Sequence, residues 1–416
     1  MAKVILNNYW SAVDIGTTKI CALIARYNSN GGIEVIGIGR YPSFGLKKGV
    51  VVDITTTVES IKKAIKEAEK MAGVKIESTA VGISGGHIQS FNSSGIVAIK
   101  NRDVSQGDID RVIEAATAIP MPSDREILHI LPQYFKVDGQ EVVKDSIGMH
   151  GVRLESQVHI ITGNISSASN IIKCCELAGV SVEDIVLEQL ASADAVLTES
   201  ERELGVGILD IGGGTSDFAI YKDGRIRHSK VLPIAGNHFT NDLAVCLRIP
   251  LEKAEMIKKK YGSVLKETGL GKKISVDLEI DNGVAEVETD YMFEILESRA
   301  KEVFDLILDD IIKFKLQPFM PYGIVLTGGG ALLSGIVDVG KEVFGMPVRV
   351  GLPREAKKSE LDSSVPDSLK SPMYSTGYGL LVYSAKDKEV VLSEGSQDPL
   401  FSWVFKRMKS WIYDFL

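Results

Sequence analysis

The sequence lacks the usual handles for several common chemistries. Its four cysteines, Cys21, Cys174, Cys175 and Cys246, are too few and wrongly spaced for a zinc site. Six histidines form no H-E-x-x-H pattern, and no G-x-x-x-x-G-K-[ST] loop occurs. No apolar run reaches the roughly 18 residues that a membrane span needs. Basic residues are outnumbered, 47 Lys and Arg against 55 Asp and Glu, for a net charge of -8. That balance leaves no broad basic face, so no nucleic-acid partner is expected. Position 2 is Ala2 rather than the glycine of myristoylation, and no C-a-a-X ending is present. With no secretory leader read ahead of the cysteines, reduced thiols in the cytoplasm are expected.

What is present is a pattern that occurs twice. "SAVDIGTTKICALI" at 11–24 and "ILDIGGGTSDFAIY" at 208–221 each run from an apolar strand into an aspartate, glycine and hydroxyl residues, then a second strand. Asp14 and Asp210 lie roughly 200 residues apart, too far for a solenoid and suited to a duplicated domain. A chain of 416 residues accommodates about two to four domains. Hydrophobic content of 44% and charged content of 25% suit a soluble globular protein.

Helical periodicity predicts helices over 55–73, 167–180 and 293–316, with Gly73 stopping the first. Residues 83–164 hold an acidic helix near 106–118 between strand-like segments and read as an inserted α+β subdomain. A second insertion, 237–294, carries the basic stretch "LEKAEMIKKKYG". Residues 386–400 read as a polar linker.

A glycine turn between strands lets backbone N–H groups approach an anion without Cβ obstruction. Thr17, Thr18, Thr215 and Ser216 add hydroxyl donors, which makes phosphate the natural ligand. Asp14 and Asp210 precede the turns and repel phosphate, so their expected role is to address Mg²⁺, through its waters. One such hairpin is usually only a tight turn. Two of them, with a third cluster at Gly328, Gly329 and Gly330 between an apolar strand and a helix, favour a nucleotide clamped from both sides.

The order of these three clusters resembles the actin superfamily of ATPases over about residues 8–385. The resemblance implies an α/β, actin-like (ribonuclease H-like) duplicated two-lobe fold. By that resemblance the first core takes 8–82, 165–203 and 375–385, and the second takes 204–236 and 295–374. Gly16, Thr17, Thr18 and Lys19 would form the first phosphate loop, and Gly212, Gly213, Gly214 and Thr215 the second. Gly328, Gly329 and Gly330 would meet adenosine, and Gly236 would turn the chain into the second insertion. Glu255 and Lys258 would reach ribose and base. Glu188 falls where several members keep a water-activating acid; a helix N-terminal carboxylate is the plainer reading.

Segments such as "GIGRYPSFGLKKGVVVDI", "ILHILPQYFKVDGQ" and "MYSTGYGLLVY" resemble the FtsA family of bacterial cell-division proteins. That resemblance implies an ATP- and Mg²⁺-binding, filament-forming protein on the cytoplasmic face of the cell membrane, with weak or no ATPase activity. Its implied partners are itself, the FtsZ C-terminal peptide and later division proteins. Arg299 is the residue singled out for the peptide; pairing with Glu302, three residues on, is the plainer role. A small-molecule (sugar-type) kinase of the same superfamily is the alternative, but no acid stands in a convincing acceptor loop.

The last 16 residues, "FSWVFKRMKSWIYDFL", form an amphipathic pattern. Phe401, Val404, Phe405, Met408, Trp411, Ile412 and Phe415 recur at helical spacing, with Lys406, Arg407 and Lys409 beside them. Trp403 and Trp411 suit a membrane interface. The stretch is too short to span, so a helix lying in the headgroups of an anionic phospholipid membrane is expected. A helix docked on the protein's own core is the competing use.

Overall fold

The computed structural model describes residues 9–28, 32–142, 146–265, 271–277, 284–354 and 365–393. The chain starts with strands β1 (Tyr9–Ile15), β2 (Lys19–Tyr27) and β3 (Ile33–Pro42), then a small hairpin of β4 (Leu46–Lys47) and β5 (Val50–Val51). Helix α1 (Ile54–Ala72) and strand β6 (Ser78–Ile83) follow. Asp53 caps α1 by accepting from the Thr56 N–H, and Gly73 ends it in the left-handed region at φ 70°. Val58, Ile61, Ala64, Ile65 and Ala68 form the buried stripe that seats α1 on the sheet.

An insertion then leaves the first lobe. It comprises β7 (Gln89–Ala98), α2 (Gln106–Thr117), β8 (Arg125–Val137), β9 (Gln140–Val142) and β10 (Arg153–Asn164). Its sheet has the order β7-β10-β8-β9, and α2 covers one face over a separate small core. The chain returns through α3 (Ile165–Ala178), β11 (Ser181–Leu187), α4 (Glu188–Val196) and α5 (Glu199–Leu204).

The second lobe repeats the first. β12 (Val206–Ile211), β13 (Ser216–Lys222) and β14 (Arg225–Leu232) form an antiparallel meander like β1–β3. After α6 (Gly236–Leu247), α7 (Leu251–Tyr261), the ribbon β15 (Lys273–Asp277) with β16 (Val284–Glu288), and the long α8 (Thr289–Lys313), β17 (Ile324–Thr327) adds parallel to β12. Helix α9 (Ile336–Phe344) leads to β18 (Val348–Val350), parallel to β17. The sheet orders are β3-β2-β1-β6-β11 and β14-β13-β12-β17-β18, the same topology twice. Every residue of β12 is buried, as in a sheet covered on both faces.

Helix α10 (Ser375–Ser393) closes the molecule beside α4. The Trp10 indole donates to Leu381 O at 3.0 Å, which ties α10 to β1. Tyr378, Leu380 and Leu381 join a core that extends into the second lobe through Val206, Ile208 and Ala219, so the lobes share a floor.

The insertion is attached to both lobes. Covalently it belongs to the first, yet its hydrogen bonds run to β14 of the second. Ser90 Oγ donates to Ser229 O at 2.8 Å, and the Gln133 amide donates to the carbonyls of Ile226 (3.0 Å) and Arg227 (2.9 Å). Arg225 donates to Gln133 O at 2.9 Å, and His159 Nε2 lies 2.9 Å from Ser229 Oγ. These contacts cover a sheet edge that would otherwise be open for pairing.

Two features differ from the sequence reading. The triple glycine does not open a helix directly. A 3-10 turn, Gly329–Leu332, comes first, and Gly335 at φ 81° breaks the chain before α9. Helix α10 also runs to Ser393, into the stretch read as a polar linker from 386. The expected amphipathic helix at 401–416 lies outside the described residues.

Candidate functional site

The two aspartates occupy matching places. Asp14 is the penultimate residue of β1 and Asp210 the penultimate residue of β12. In each hairpin the turn closes identically: the Gly16 N–H donates to Lys19 O at 3.1 Å, and the Gly212 N–H to Thr215 O at 2.9 Å. The two turns abut across the cleft between lobes. A Cβ on Gly213 would lie 2.4 Å from Thr18 Cγ2, and one on Gly214 would lie 2.4 Å from Thr17 Oγ1. Only glycine permits that approach.

Other elements converge on the second turn. The N–H groups of Gly236 and Asn237, at the start of α6, donate to Gly212 O (3.0 Å) and Gly213 O (2.8 Å). The positive end of a helix dipole therefore sits at the turn. Lys258 Nζ donates to Gly236 O at 2.9 Å and to Thr240 Oγ1 at 2.7 Å, and it pairs with Glu255 at 2.6 Å. Gly328, at φ 80°, closes on Asp210: a Cβ there would lie 2.2 Å from Asp210 Oδ1. Gly329 faces open space instead.

The floor of the cleft holds buried acids. Asp14 and Asp210 are 6% and 5% exposed, Asp217 only 1%. Burial raises Asp14 above the ordinary aspartate value, against the pull of Lys19. Asp210 is pushed up to about 6 by burial, although it accepts hydrogen bonds from Ser192 and Thr376. Asp217 is pushed up to about 7, again by burial, while Ser84 Oγ donates to it at 2.5 Å. Glu188, at the first position of α4, is held well above the ordinary value by burial and then by Asp217, Asp14 and Asp210. Its helix-terminal position and its place among the cleft acids are thus both features of one residue. Lys19 Nζ lies 3.5 Å from Asp14 and donates to Met373 O at 2.5 Å, over the Tyr374 ring. Its ammonium is therefore engaged at the floor.

The geometry suits a cation as well as phosphate. The acids offer hard oxygen donors, and one lysine does not balance their charge, so Mg²⁺ chemistry fits. Among the described residues no group of three or more His, Cys, Asp or Glu could hold a metal ion by itself. A cation here would need phosphate or water oxygens to complete its shell.

Arg299 lies on a different groove of about 420 Å³, lined in part by Asp242, Val245, Tyr291, Ile295 and Glu302. It makes the Glu302 contact expected of a helix arginine, and it also pairs with Asp242 through Nε at 2.5 Å and Nη2 at 3.0 Å.

The sequence reading missed Asp217, Ser84, Ser192 and Thr376. Asp217 carried a usable signal: it stands opposite Asp210 in the hairpin register, where the first hairpin has Cys21 opposite Asp14. Ser84 and Thr376 carried none, because each reaches its acid from far along the chain.

Comparison with known proteins bears on the whole chain. A family model described as cell division protein FtsA matches residues 207–379, and an SHS2 domain inserted in FtsA matches 85–162. The cell division protein FtsA of Pseudomonas aeruginosa is 45% identical over 99% of both chains. That of Neisseria meningitidis is 43% identical over 91% of both, and that of Escherichia coli K12 is 35% identical over 96% of both. Among solved structures, a chain of the PilM-PilN type IV pilus biogenesis complex superposes with TM-score 0.65 at 15% identity, covering 90% of this chain and 98% of that one. MreB5 of Spiroplasma citri bound to ADP gives 0.57 at 17% identity, covering 94% and 99%. The structural likenesses give an actin-like fold, and on its sequence relatives the chain belongs to the FtsA family of cell division proteins.

Proposed function

We infer that this cell-division protein binds Mg·ATP between its two hairpins and polymerises on the inner face of the cytoplasmic membrane. There it anchors the FtsZ ring and recruits later division proteins. The observation that carries the nucleotide reading is the pair of register-matched hairpins, each presenting an aspartate and a glycine turn to the other.

In this reading the turns at Gly16–Thr18 and Gly212–Thr215 hold phosphates through N–H and hydroxyl donors. Asp14 and Asp210 hold Mg²⁺, which supplies charge compensation for phosphate and acids together. Glu255 and Lys258 face ribose and base, and the turn at Gly328–Gly330 faces adenosine. Glu188 can accept a proton from water only when it is itself ionised. Burial and then its acidic neighbours favour the protonated carboxyl, which cannot take that proton until the cleft charge is offset. This suits weak or no ATPase activity.

The groove at Arg299 takes the FtsZ C-terminal peptide. The 401–416 segment lies in the headgroups and attaches reversibly. Each Lys or Arg near an anionic surface adds about 1 kcal/mol, and polymerisation multiplies the attachment by avidity. No helix among the described residues is long and apolar enough to cross a membrane. Co-sedimentation with anionic vesicles tests the reading. Deleting 401–416 should leave folding and ATP binding intact and abolish pelleting; equal pelleting of the truncated chain would sink the membrane assignment.

A further inference from the structure

The β4–β5 hairpin is the shortest element at the cleft, and none of the assignments above uses it. Its two loop residues, Lys48 at φ 52° and Gly49 at φ 79°, have the positive φ values that a two-residue type I′ hairpin turn requires. The backbone there is wedged between three parts of the site. The Gly49 N–H donates to Thr17 Oγ1 of the first loop at 3.0 Å. A Cβ on Gly49 would lie 2.9 Å from Ser84 O, beside the partner of Asp217. Across the cleft, a Cβ on Gly214 of the second loop would lie 2.9 Å from Lys48 Cα. Other non-glycine residues with positive φ are Arg102, Asp138, Asp223, Arg248 and Lys315, and among the described residues only Lys48 abuts a phosphate-loop glycine.

The side chain is exposed, and among the described residues its ammonium has neither a hydrogen bond nor an ion pair. Its charge nevertheless acts across the cleft. After burial, Lys48 is the strongest influence holding the His238 imidazole, in the first turn of α6, below its ordinary value. Lys19, the other cation at the first hairpin, is occupied by Asp14 and Met373 O. Among the described residues Lys19 and Lys258 are thus engaged cations of the cleft, whereas the exposed Lys48 is unengaged.

We propose that Lys48 is the residue by which the site distinguishes a nucleoside triphosphate from a diphosphate. Its ammonium binds the terminal phosphate from the first-lobe side, directly over the second phosphate loop. This rests on the nucleotide reading above. The tight turn brings the Lys48 backbone to the point where the two loops meet. An ammonium contributes as a compact charge with three donors, so its bond to a phosphate oxygen is charge-assisted. The outermost phosphate alone gains that bond, so a diphosphate gains nothing from it.

Titration of the full chain with Mg·ATP and with Mg·ADP tests this. The wild type should prefer ATP. Lys48→Met should lower the ATP-over-ADP affinity ratio about tenfold or more while leaving ADP affinity in place. Lys48→Gly removes the ammonium and relaxes the backbone, and should lower the ratio in the same way; Lys48→Arg should retain most of it. A purely structural role for the turn would instead show as a changed nucleotide-free melting temperature with both nucleotides affected equally, and that result overturns the proposal. So does a wild-type ratio in Lys48→Met. A wild type that binds neither nucleotide overturns the nucleotide reading itself, and this inference with it.

Discussion

Replacing Asp217 by asparagine should make the nucleotide-free protein more stable at pH 8 and leave it unchanged at pH 4. Asp217 is 1% exposed, accepts from Ser84 Oγ at 2.5 Å, and is pushed by burial from 3.8 to about 7. In the folded state the group binds its proton more tightly than in the unfolded chain. Its contribution to stability is therefore fully present below about pH 4 and lost as pH rises through about 7. At about 1.4 kcal/mol per pH unit, the loss is on the order of 4 kcal/mol once the acid ionises. Asparagine keeps an acceptor for Ser84 and never ionises, so the variant escapes that loss. Asp14 and Asp210 also titrate but are present in both proteins, whereas Glu188, which ionised Asp217 holds up, is relieved in the variant and adds to the gain at pH 8. Urea unfolding of wild type and Asp217→Asn across pH 4 to 8 reads the effect directly. Mg·ATP should narrow the gap at pH 8, because the bound cation offsets the ionised acid. Parallel pH profiles for the two proteins would refute the claim that Asp217 is held in its protonated form by burial.

Three further outcomes are expected. Gly213→Val would put a side chain into Thr18, at 2.4 Å for the Cβ alone, and should weaken ATP binding at least about tenfold by calorimetric titration; equal affinity would remove the second loop from the site. Arg299→Ala should cost about 1 kcal/mol or less in stability, because its pairs with Asp242 and Glu302 are partly exposed, yet should reduce binding of the FtsZ C-terminal peptide; unchanged peptide affinity would clear Arg299. Ser229→Ala leaves buried His159 without its Nε2 partner and should cost about 1–3 kcal/mol in urea unfolding. His159 is held down to about 3 by burial, so its contribution should be present above about pH 6.5 and fall away in acid; a flat profile would count against the docked insertion.

The hairpins were legible because their signal is local. An apolar strand, an aspartate and a glycine turn are contiguous in sequence, and the second copy removed the ambiguity of the first. The helices at 55–73 and 167–180 were legible for the same reason, through period and glycine stops. The partners of the acids were not legible. Ser84 meets Asp217, and Thr376 meets Asp210, only because the lobes close over a common floor. Lys19 was read as a phosphate-loop cation, and nothing near it in sequence told of Met373 or Tyr374. Arg299 showed its helical neighbour Glu302 in the sequence and hid Asp242 on α6.

The insertion leaves the first lobe after Ser84 and returns at Asn164, whose N–H donates to His87 Nδ1 at 3.2 Å, while its side chains hold β14 of the second. Mechanically this makes the molecule a closed linkage rather than two plates on an open hinge. In a closed linkage no member turns independently. If the lobes swing apart, either the crossing at 84–87 bends or the bonds to Ile226, Arg227 and Ser229 yield. That crossing starts at the residue whose hydroxyl is bonded to Asp217. The insertion, the second lobe's β14 and the cleft carboxylate Asp217 are thus joined through one short crossing.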